Sequence, residues 1–192
     1  MNIPFQTRRG DSLVLRSWHH DDLDRYEDLM RGDARWLLQE SPWLHDTLDP
    51  GAAVQAKRTE LEEAQGEGFP MSLVIAPQKD DEFIGFVSSY WRGKQTHWMR
   101  IGVRIYDPSH WGKGIGCGAL RVWTTALFRA HDDLVRLGMT TWSGNLGMVK
   151  LAQKLGFIQE ACHRQARRYR GDVYDALGFG VLRSEWTHDW AP

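Results

Sequence analysis

Four alternating glycines, Gly112, Gly114, Gly116 and Gly118, lie between a predicted strand and a predicted helix. Residues without a Cβ allow several backbone N–H groups to point into one small concavity. At the N-terminus of a helix such a concavity binds anions, because the unpaired amides and the helix dipole both favour negative charge. Lys113 adds a positive charge, so the segment predicts a phosphate or pyrophosphate site. A glycine turn without a ligand is the plainer alternative.

Two other nucleotide-binding patterns overlap this segment, and spacing separates them from it. The ATP-type phosphate loop requires Ser or Thr directly after its Lys, whereas Gly114 follows Lys113. The stretch Gly114 to Ala119 fits the G-x-G-x-x-A pattern of dinucleotide-binding folds, and Asp132 follows at about the expected distance. In that fold the acidic residue ends a second parallel strand, whereas Asp132 precedes the strand predicted at Arg136. A nicotinamide oxidoreductase is therefore the weaker alternative.

The hydrophobic pattern predicts about seven strands and about four helices. Short apolar stretches between Met71 and Tyr106 are separated by hairpin-length turns, which indicates an antiparallel meander. The glycine turn and the helix after it form a crossover to a strand near Arg136. The predicted order is β-α-α-β-β-β-α-β-α-β-β, an α+β fold with a mixed, mostly antiparallel sheet. We expect a single domain over residues 1–192, with its core over about residues 13–186.

Local signals also predict where several elements begin and end. Asp49 followed by Pro50 is typical of a helix N-terminus, and we expect that helix to run to about Gly66. Before it, residues Trp36 to Asp46 are expected to be irregular. Asn145 begins a later helix, which ends at Gly156 because glycine suits a left-handed C-cap.

Composition excludes several classes of function. The chain has 24 Lys and Arg against 25 Asp and Glu, so no overall charge recruits nucleic acid or an anionic membrane. The apolar runs are short and the first residues lack the apolar middle of a secretory signal, so we expect a cytoplasmic protein without a membrane span. Cys117 and Cys162 are too few for a disulfide framework, and the histidines show no metal-ligand spacing. We therefore predict reduced thiols and no metal.

Three motifs occur in the order found in one known family. They are Trp111-Gly-Lys-Gly-Ile-Gly116 after Pro108, Asn145 to Phe157, and Gly171 to Asp175 with Leu182 to Trp186. The first matches a pyrophosphate turn with Trp in place of the commoner Gln or Arg. The second is similar to an N-x-x-(S/A)-x-x-L-x-x-K-L-G-F helix and turn, and the third to a last hairpin and C-terminal strand. Together they resemble the GNAT acetyltransferase superfamily, in particular its RimJ/RimL-like branch of ribosomal-protein alanine acetyltransferase-like enzymes.

The resemblance implies transfer of an acetyl group from acetyl-CoA directly to a primary amine. It also implies a sheet splayed between its fourth and fifth strands, with the pantetheine arm in the gap and the pyrophosphate on the glycine turn. The residues that it places against the cofactor are Trp111, Gly112, Lys113, Gly114, Gly116, Cys117 and Asn145. Ile105 and Tyr106 lie where the family has backbone donors for the carbonyl, and we expect a bulge between Ile101 and Pro108 to expose those amides.

Acetyl transfer requires a neutral amine, a polarised carbonyl and a proton for the leaving thiolate. Relatives carry a Glu base where this chain has Arg100, and a Tyr or Ser acid where it has Ala152 or Met148. An imidazole changes charge near neutral pH, so His97 is the candidate base, although a structural or solvated histidine is the plainer alternative. Water or Tyr169 is the candidate proton donor.

Three questions stay open on the sequence alone. The missing proton-handling residues leave a non-catalytic acyl-CoA-binding sensor as the alternative function. A nucleophilic role for Cys117 is disfavoured, because no placed His and acid accompany it. The acceptor is a protein N-terminus, an amino acid or a small amine, held by Trp36 to Trp43, His45 and the hairpin at Arg170. We expect the ten dispersed tryptophans to serve mainly the core or a homodimer interface.

Overall fold

The computed structural model describes residues 1–63 and 68–187, in which an eight-stranded sheet carries helices on both faces. The strands are β1 (Asn2–Gln6), β2 (Ser12–Arg16), β3 (Ser72–Pro77), β4 (Gly85–Gly93), β5 (Trp98–Ile105), β6 (Arg136–Trp142), β7 (Ile158–Tyr169) and β8 (Asp172–Leu182). The helices are α1 (Asp22–Arg31), α2 (Arg35–Glu40), α3 (Pro50–Glu63), α4 (Ile115–Ala130) and α5 (Leu146–Lys154). Single 3₁₀ turns lie at Pro42–Leu44, Lys94–Thr96, Pro108–His110 and Arg183–Glu185.

The order of strands across the sheet is β1-β2-β3-β4-β5-β6-β8-β7. β5 and β6 are parallel, and the other neighbouring strands are antiparallel. The predicted α+β class, the meander from β3 to β5 and the crossover through α4 are therefore confirmed. The parallel pairing covers only three residues on each strand, from Trp98 opposite Arg136 to Arg100 opposite Gly138.

Two hydrophobic clusters lie on opposite faces of the sheet. Successive side chains of a strand point to opposite faces, so Leu73 of β3 joins one cluster and Val74 joins the other. The first cluster packs α4 and α5 against the sheet, with Trp123 of α4 fully buried. The second cluster packs α1, α2 and α3 against the other face and includes Tyr106. None of the described helices is long and apolar enough to cross a membrane.

Two elements differ from the sequence-based prediction. β1 was missed because Pro4 interrupts its short apolar pattern, and proline is tolerated there because β1 is an edge strand. The expectation of irregular backbone from Trp36 is wrong for α2, whose six residues are too few to show a helical period. α3 extends to Glu63, and its predicted end at Gly66 lies outside the described residues.

Candidate active site

The sheet opens into a cleft of about 870 Å³ where β5 and β6 diverge. Beyond the Arg100–Gly138 pair the two strands are no longer joined, and Gly102 to Ile105 face Thr140 to Trp142 across the opening. The N-terminus of α4 and the exposed face of α5 form the rest of one wall. This volume lies in the range of known ligand and cofactor sites.

The backbone of β5 presents amides to the cleft at alternate residues. Tyr106 N donates to Ile84 O over 3.4 Å, so the Tyr106 amide is turned toward β4. Adjacent residues of an antiparallel strand direct their backbone groups to opposite sides, so the amides of Ile105 and Val103 are directed into the gap. The prediction is thus corrected for Tyr106, whose N–H is already engaged, and Ile105 keeps the geometry of a donor. In agreement, Ile105 O accepts from Trp111 Nε1 over 2.9 Å on the gap side.

The amides of Ile105 and Val103 are exposed because β5 diverges from β6, and not because β5 contains a bulge. The ladder between β4 and β5 runs in unbroken register from Gly85 opposite Ile105 to Trp91 opposite Met99. Its irregularity lies between Trp91 and Gly93, at the other end of the strand. The expected bulge over Ile101 to Pro108 is therefore wrong.

The glycine turn adopts the backbone that its sequence predicts. Gly112 has a φ of 70° and Gly114, the N-cap of α4, a φ of 88°, a region that strains other residues. A Cβ on Gly116 would lie 3.2 Å from Leu151 Cδ1, which keeps α4 close to α5. The free amides of the first turn of α4 therefore face the cleft, as an anion site requires.

A short capped segment leads from β5 into this turn. Asp107 Oδ1 accepts from Ser109 N over 2.7 Å at the start of the 3₁₀ turn. The backbone hydrogen bond from Ser109 lowers the pKa of Asp107, so the cap stays charged at neutral pH. The segment places His110 and Trp111 in the lining of the cleft.

Most of the residues predicted to contact a cofactor are brought together. Those that line the cleft are Ile105, Trp111, Gly112, Gly114, Gly116, Cys117 and Asn145. Lys113 and Tyr106 do not line it. Asn145 also caps α5, because its Oδ1 accepts from Met148 N over 3.0 Å. Cys117 is a free thiol in the first turn of α4.

The two predicted proton-handling residues lie elsewhere. His97 precedes β5 at the end that is paired with β6, and its Nδ1 lies 2.7 Å from Asp133 Oδ2. Tyr169 ends β7, and the guanidinium of Arg170 covers its ring at 5.2 Å. Neither residue lines the cleft, so their geometry does not fit the predicted roles of base and acid. Their plainer interpretation, as structural or surface residues, fits better.

An ion pair that the sequence did not signal lies on the side of the cleft opposite α5. Arg104 Nε donates to Glu40 Oε2 over 2.5 Å, and a second bond joins Arg104 Nη2 to Glu40 Oε1. The guanidinium lies 5.1 Å from the ring of Trp36 and 5.4 Å from that of Phe86. Beneath them burial raises the pKa of Tyr106 well above its ordinary value, so its hydroxyl stays neutral.

Aromatic side chains complete this wall, which we call the α2 wall and define as Trp36, Glu40, Trp43, Phe86, Arg104, Trp142 and Arg167. Trp142 Nε1 donates to Gln39 O over 2.8 Å and so joins α2 to the end of β6. The Trp142 ring lies so close to Gly144 that a Cβ there would come within 2.0 Å of it. Trp43 lies 5.7 Å from Trp142. The sequence predicted Trp36 and Trp43 here, whereas Trp142 and Arg167 carried no recognisable signal.

His45, which was expected to help hold the acceptor, lies outside this wall. It is exposed beside Asp46, 3.0 Å from its Oδ1, and does not line the cleft. Among the described residues, no group of three or more His, Cys, Asp or Glu side chains is placed to hold a metal ion. The dinucleotide-binding alternative is wrong, because that fold needs a parallel sheet and the described strands include one parallel pair.

Comparison with known proteins agrees with this architecture. The family model described as "Acetyltransferase (GNAT) domain" matches residues 12–158. The SPbeta prophage-derived uncharacterized N-acetyltransferase YokL of Bacillus subtilis is 23% identical over 177 residues, which cover 92% of this chain and 93% of that protein. A GNAT-family acetyltransferase from Bacillus anthracis superposes with a TM-score of 0.75 at 14% identity, covering 96% of this chain and all of that one.

RimJ from Mycobacterium smegmatis, solved in complex with CoA-disulfide, superposes with a TM-score of 0.73 at 19% identity. The superposition covers 97% of this chain and 88% of RimJ. The predicted resemblance is thereby confirmed, since the family model spans most of the chain and RimJ is among the structural neighbours. The chain belongs to the GNAT acetyltransferase family and is an acetyl-CoA-dependent N-acetyltransferase.

Proposed function

We propose that the cleft between β5 and β6 holds the pantetheine arm of acetyl-CoA and that the primary amine of the acceptor enters along the α2 wall. The observation that carries this proposal is the position of the cleft, which meets the glycine turn on one side and the α2 wall on the other. The pyrophosphate binds to the amides at Gly112 to Gly116, where backbone conformation and helix dipole favour an anion. The thioester then lies between the two walls.

The chemistry is a direct displacement. The amine nitrogen attacks the thioester carbonyl carbon, the C–S bond breaks, and the thiolate takes up a proton as the amine loses one. The amides of Ile105 and Val103 polarise the carbonyl oxygen, because they face the gap and are not used by β4. His110 is a titratable side chain that lines the cleft, and it replaces His97 as the candidate for accepting the amine proton. Bound water serves as the proton donor to the thiolate.

Substitution of Gly114 by Val tests the proposed pyrophosphate site. A β-branched residue is strained at a φ of 88°, so the amides at the start of α4 are displaced. We expect KM for acetyl-CoA to rise at least about tenfold, since one lost charge-assisted hydrogen bond is worth that much. Thiol release from acetyl-CoA, followed with a panel of peptides and small amines, measures KM and kcat.

Gly10→Val is the matched control. Gly10 has a φ of 90° in the turn between β1 and β2, away from the cleft, so it introduces similar strain without touching the anion site. It should lower the melting temperature as Gly114→Val does but leave KM for acetyl-CoA unchanged. Equal KM changes in the two variants would contradict the assignment of the turn. Acetyl-CoA binding without thiol release from any amine in the panel would instead favour an acyl-CoA sensor.

A further inference from the structure

The outer strand β7 carries a strongly basic run on a chain whose net charge is −1. Four arginines lie within residues 164–170, and all four are exposed: Arg164, Arg167, Arg168 and Arg170. Within the described part of the chain no ion pair joins any of them to a carboxylate. Three like charges on β7 and a fourth in the turn after it repel one another, and no carboxylate of the described residues offsets that repulsion.

Arg167 lines the acceptor side of the cleft, and Arg170 lies in the turn directly after β7. The guanidinium of Arg167 lies 5.2 Å from the ring of Trp43, within the α2 wall. Tyr169 is two residues further along the strand and therefore on the same face, and its ring carries the guanidinium of Arg170 at 5.2 Å. Arg168 lies between them and points to the opposite face of β7.

The aromatic rings hold these two guanidinium groups without neutralising them. A ring face attracts a cation and restricts its motion, yet it leaves the planar N–H donors at the edge free. Besides its contact with Trp43, Arg167 donates one hydrogen bond, to the carbonyl of the neighbouring Ala166 over 2.9 Å. An ordered guanidinium with free donors is suited to bind a carboxylate through two parallel bonds.

We propose that Arg167 and Arg170 bind acidic side chains of a polypeptide acceptor, close behind the terminal amine that enters the cleft. The inference rests on the proposed amine transfer and names the class of acceptor. Arg167 and Arg170 are separated by two extended residues of β7, so their Cα atoms are about 10 Å apart, a distance that several residues of an extended peptide span and a single small amine does not. Among the acceptors left open, which are a protein N-terminus, an amino acid and a small amine, this span favours an acidic polypeptide.

The test compares two peptides that share an N-terminal residue and length. One carries Asp at positions two to five and the other carries Asn at the same positions. We expect the wild-type enzyme to show a KM for the Asp peptide at least about tenfold below that for the Asn peptide, because bonds to charged groups are worth about 1.5 to 3 kcal/mol each. Calorimetry of peptide binding gives a second readout that does not depend on turnover.

Arg167→Ser and Arg170→Ser, singly and together, should raise KM for the Asp peptide by a larger factor than KM for the Asn peptide and leave KM for acetyl-CoA unchanged. Arg168→Ser is the matched control, since it removes the same charge from the same strand on the opposite face. The double variant should remove most of the preference for Asp. In the wild-type enzyme the preference for the Asp peptide should also fall with added salt, because salt screens exposed charge pairs.

Three results would overturn the inference. The first is equal KM for the two peptides in the wild-type enzyme. The second is an effect of Arg168→Ser as large as that of Arg167→Ser. The third is displacement of the Asp peptide by a single-stranded RNA oligonucleotide that binds more tightly and depends on the same two arginines. Transfer to both peptides regardless of charge would leave the proposed function intact, whereas no thiol release with any peptide would count against that function itself.

Discussion

At the scale of single residues, one indole fixes the end of β5 against the turn that begins α4. Trp111 Nε1 donates to Ile105 O over 2.9 Å, and the amide of the same Ile105 faces the cleft. Indole has one N–H and no acceptor, so it holds the carbonyl from one direction. Trp111 therefore positions a predicted carbonyl donor, a role that its place in the sequence motif does not reveal.

Trp111→Phe removes this hydrogen bond and keeps an aromatic ring. We expect a loss of about 1 kcal/mol in the free energy of unfolding, the usual net contribution of one such bond. KM for acetyl-CoA should rise several-fold because the end of β5 becomes less well placed. Steady-state kinetics and denaturant unfolding measure the two effects.

Trp98→Phe is the control for that substitution. Trp98 lies at the opposite, paired end of β5, and its buried Nε1 has no hydrogen-bond partner among the described residues. Its replacement should leave KM for acetyl-CoA unchanged. If Trp111→Phe has no larger effect on KM than Trp98→Phe, the positioning role is wrong.

At the scale of elements, α2 is short and depends on tertiary contacts for its position. Its start is held by one side-chain bond, from Arg35 N to Asp33 Oδ1 over 2.9 Å, and it has six residues, fewer than an isolated helix needs to be stable. Besides the packing of Trp36 and Leu37, hydrogen bonds join it to the sheet through the pair of Glu40 with Arg104 on β5 and the bond from Trp142 on β6 to Gln39. α2 thus bridges the two strands that diverge, on the acceptor side of the cleft.

Glu40→Ala should loosen this bridge. Loss of the carboxylate leaves the half-buried Arg104 without its partner, and we expect KM for the amine acceptor to rise about five- to tenfold, with KM for acetyl-CoA unchanged. Initial rates at saturating concentrations of either substrate separate the two constants.

Glu27→Ala is the matched control. It breaks an exposed pair with Arg31 on α1, a type of contact that contributes little. Its kinetic constants should equal those of the wild-type enzyme. A rise in KM for acetyl-CoA as large as that for the acceptor in Glu40→Ala would show that α2 belongs to the cofactor side.

At the scale of the whole molecule, a buried ion pair joins the helical layer to the sheet. Arg16 on β2 binds Asp22 at the start of α1, with Nη1 to Oδ2 at 2.7 Å and both side chains under 10% exposed. Arg16 Nε also reaches Asp81 Oδ1, in the connection between β3 and β4, over 2.7 Å. One guanidinium therefore joins β2 to the nearby start of α1 and to the connection between β3 and β4, which is 65 residues away in sequence.

Arg16→Met should lower the free energy of unfolding by about 3 to 5 kcal/mol, because it leaves the Asp22 carboxylate buried without its partner. Chemical denaturation followed by tryptophan fluorescence measures this loss. The double variant Arg16→Met with Asp22→Leu should be more stable than Arg16→Met alone, since no buried charge is left unpaired. A loss under about 1 kcal/mol for Arg16→Met would mean that water reaches Asp22 and that the pair acts as an exposed one.

Local sequence determined a large part of the fold. Alternating and short apolar runs predicted seven of the eight strands, because a strand pattern is set by residues near one another. The glycine turn, the Asn145 cap and the left-handed Gly156 were readable for the same reason, since each depends on the backbone of a few adjacent residues. β1 and α2 escaped prediction because they are short and take their stability from packing on distant elements.

The sequence by itself determined the anion-binding turn, the class of cofactor and the order of the elements. Only the tertiary structure decided which side chains share the cleft with that turn. His97 was a reasonable candidate by residue type, but strand direction places it at the closed end of β5 beside Asp133. Arg167 and Trp142 carried no local signal and lie on the α2 wall, because the order of strands brings β6 and β7 against the segment after α2. Distances between residues far apart in the chain depend on sheet order and packing, which no short stretch of sequence encodes.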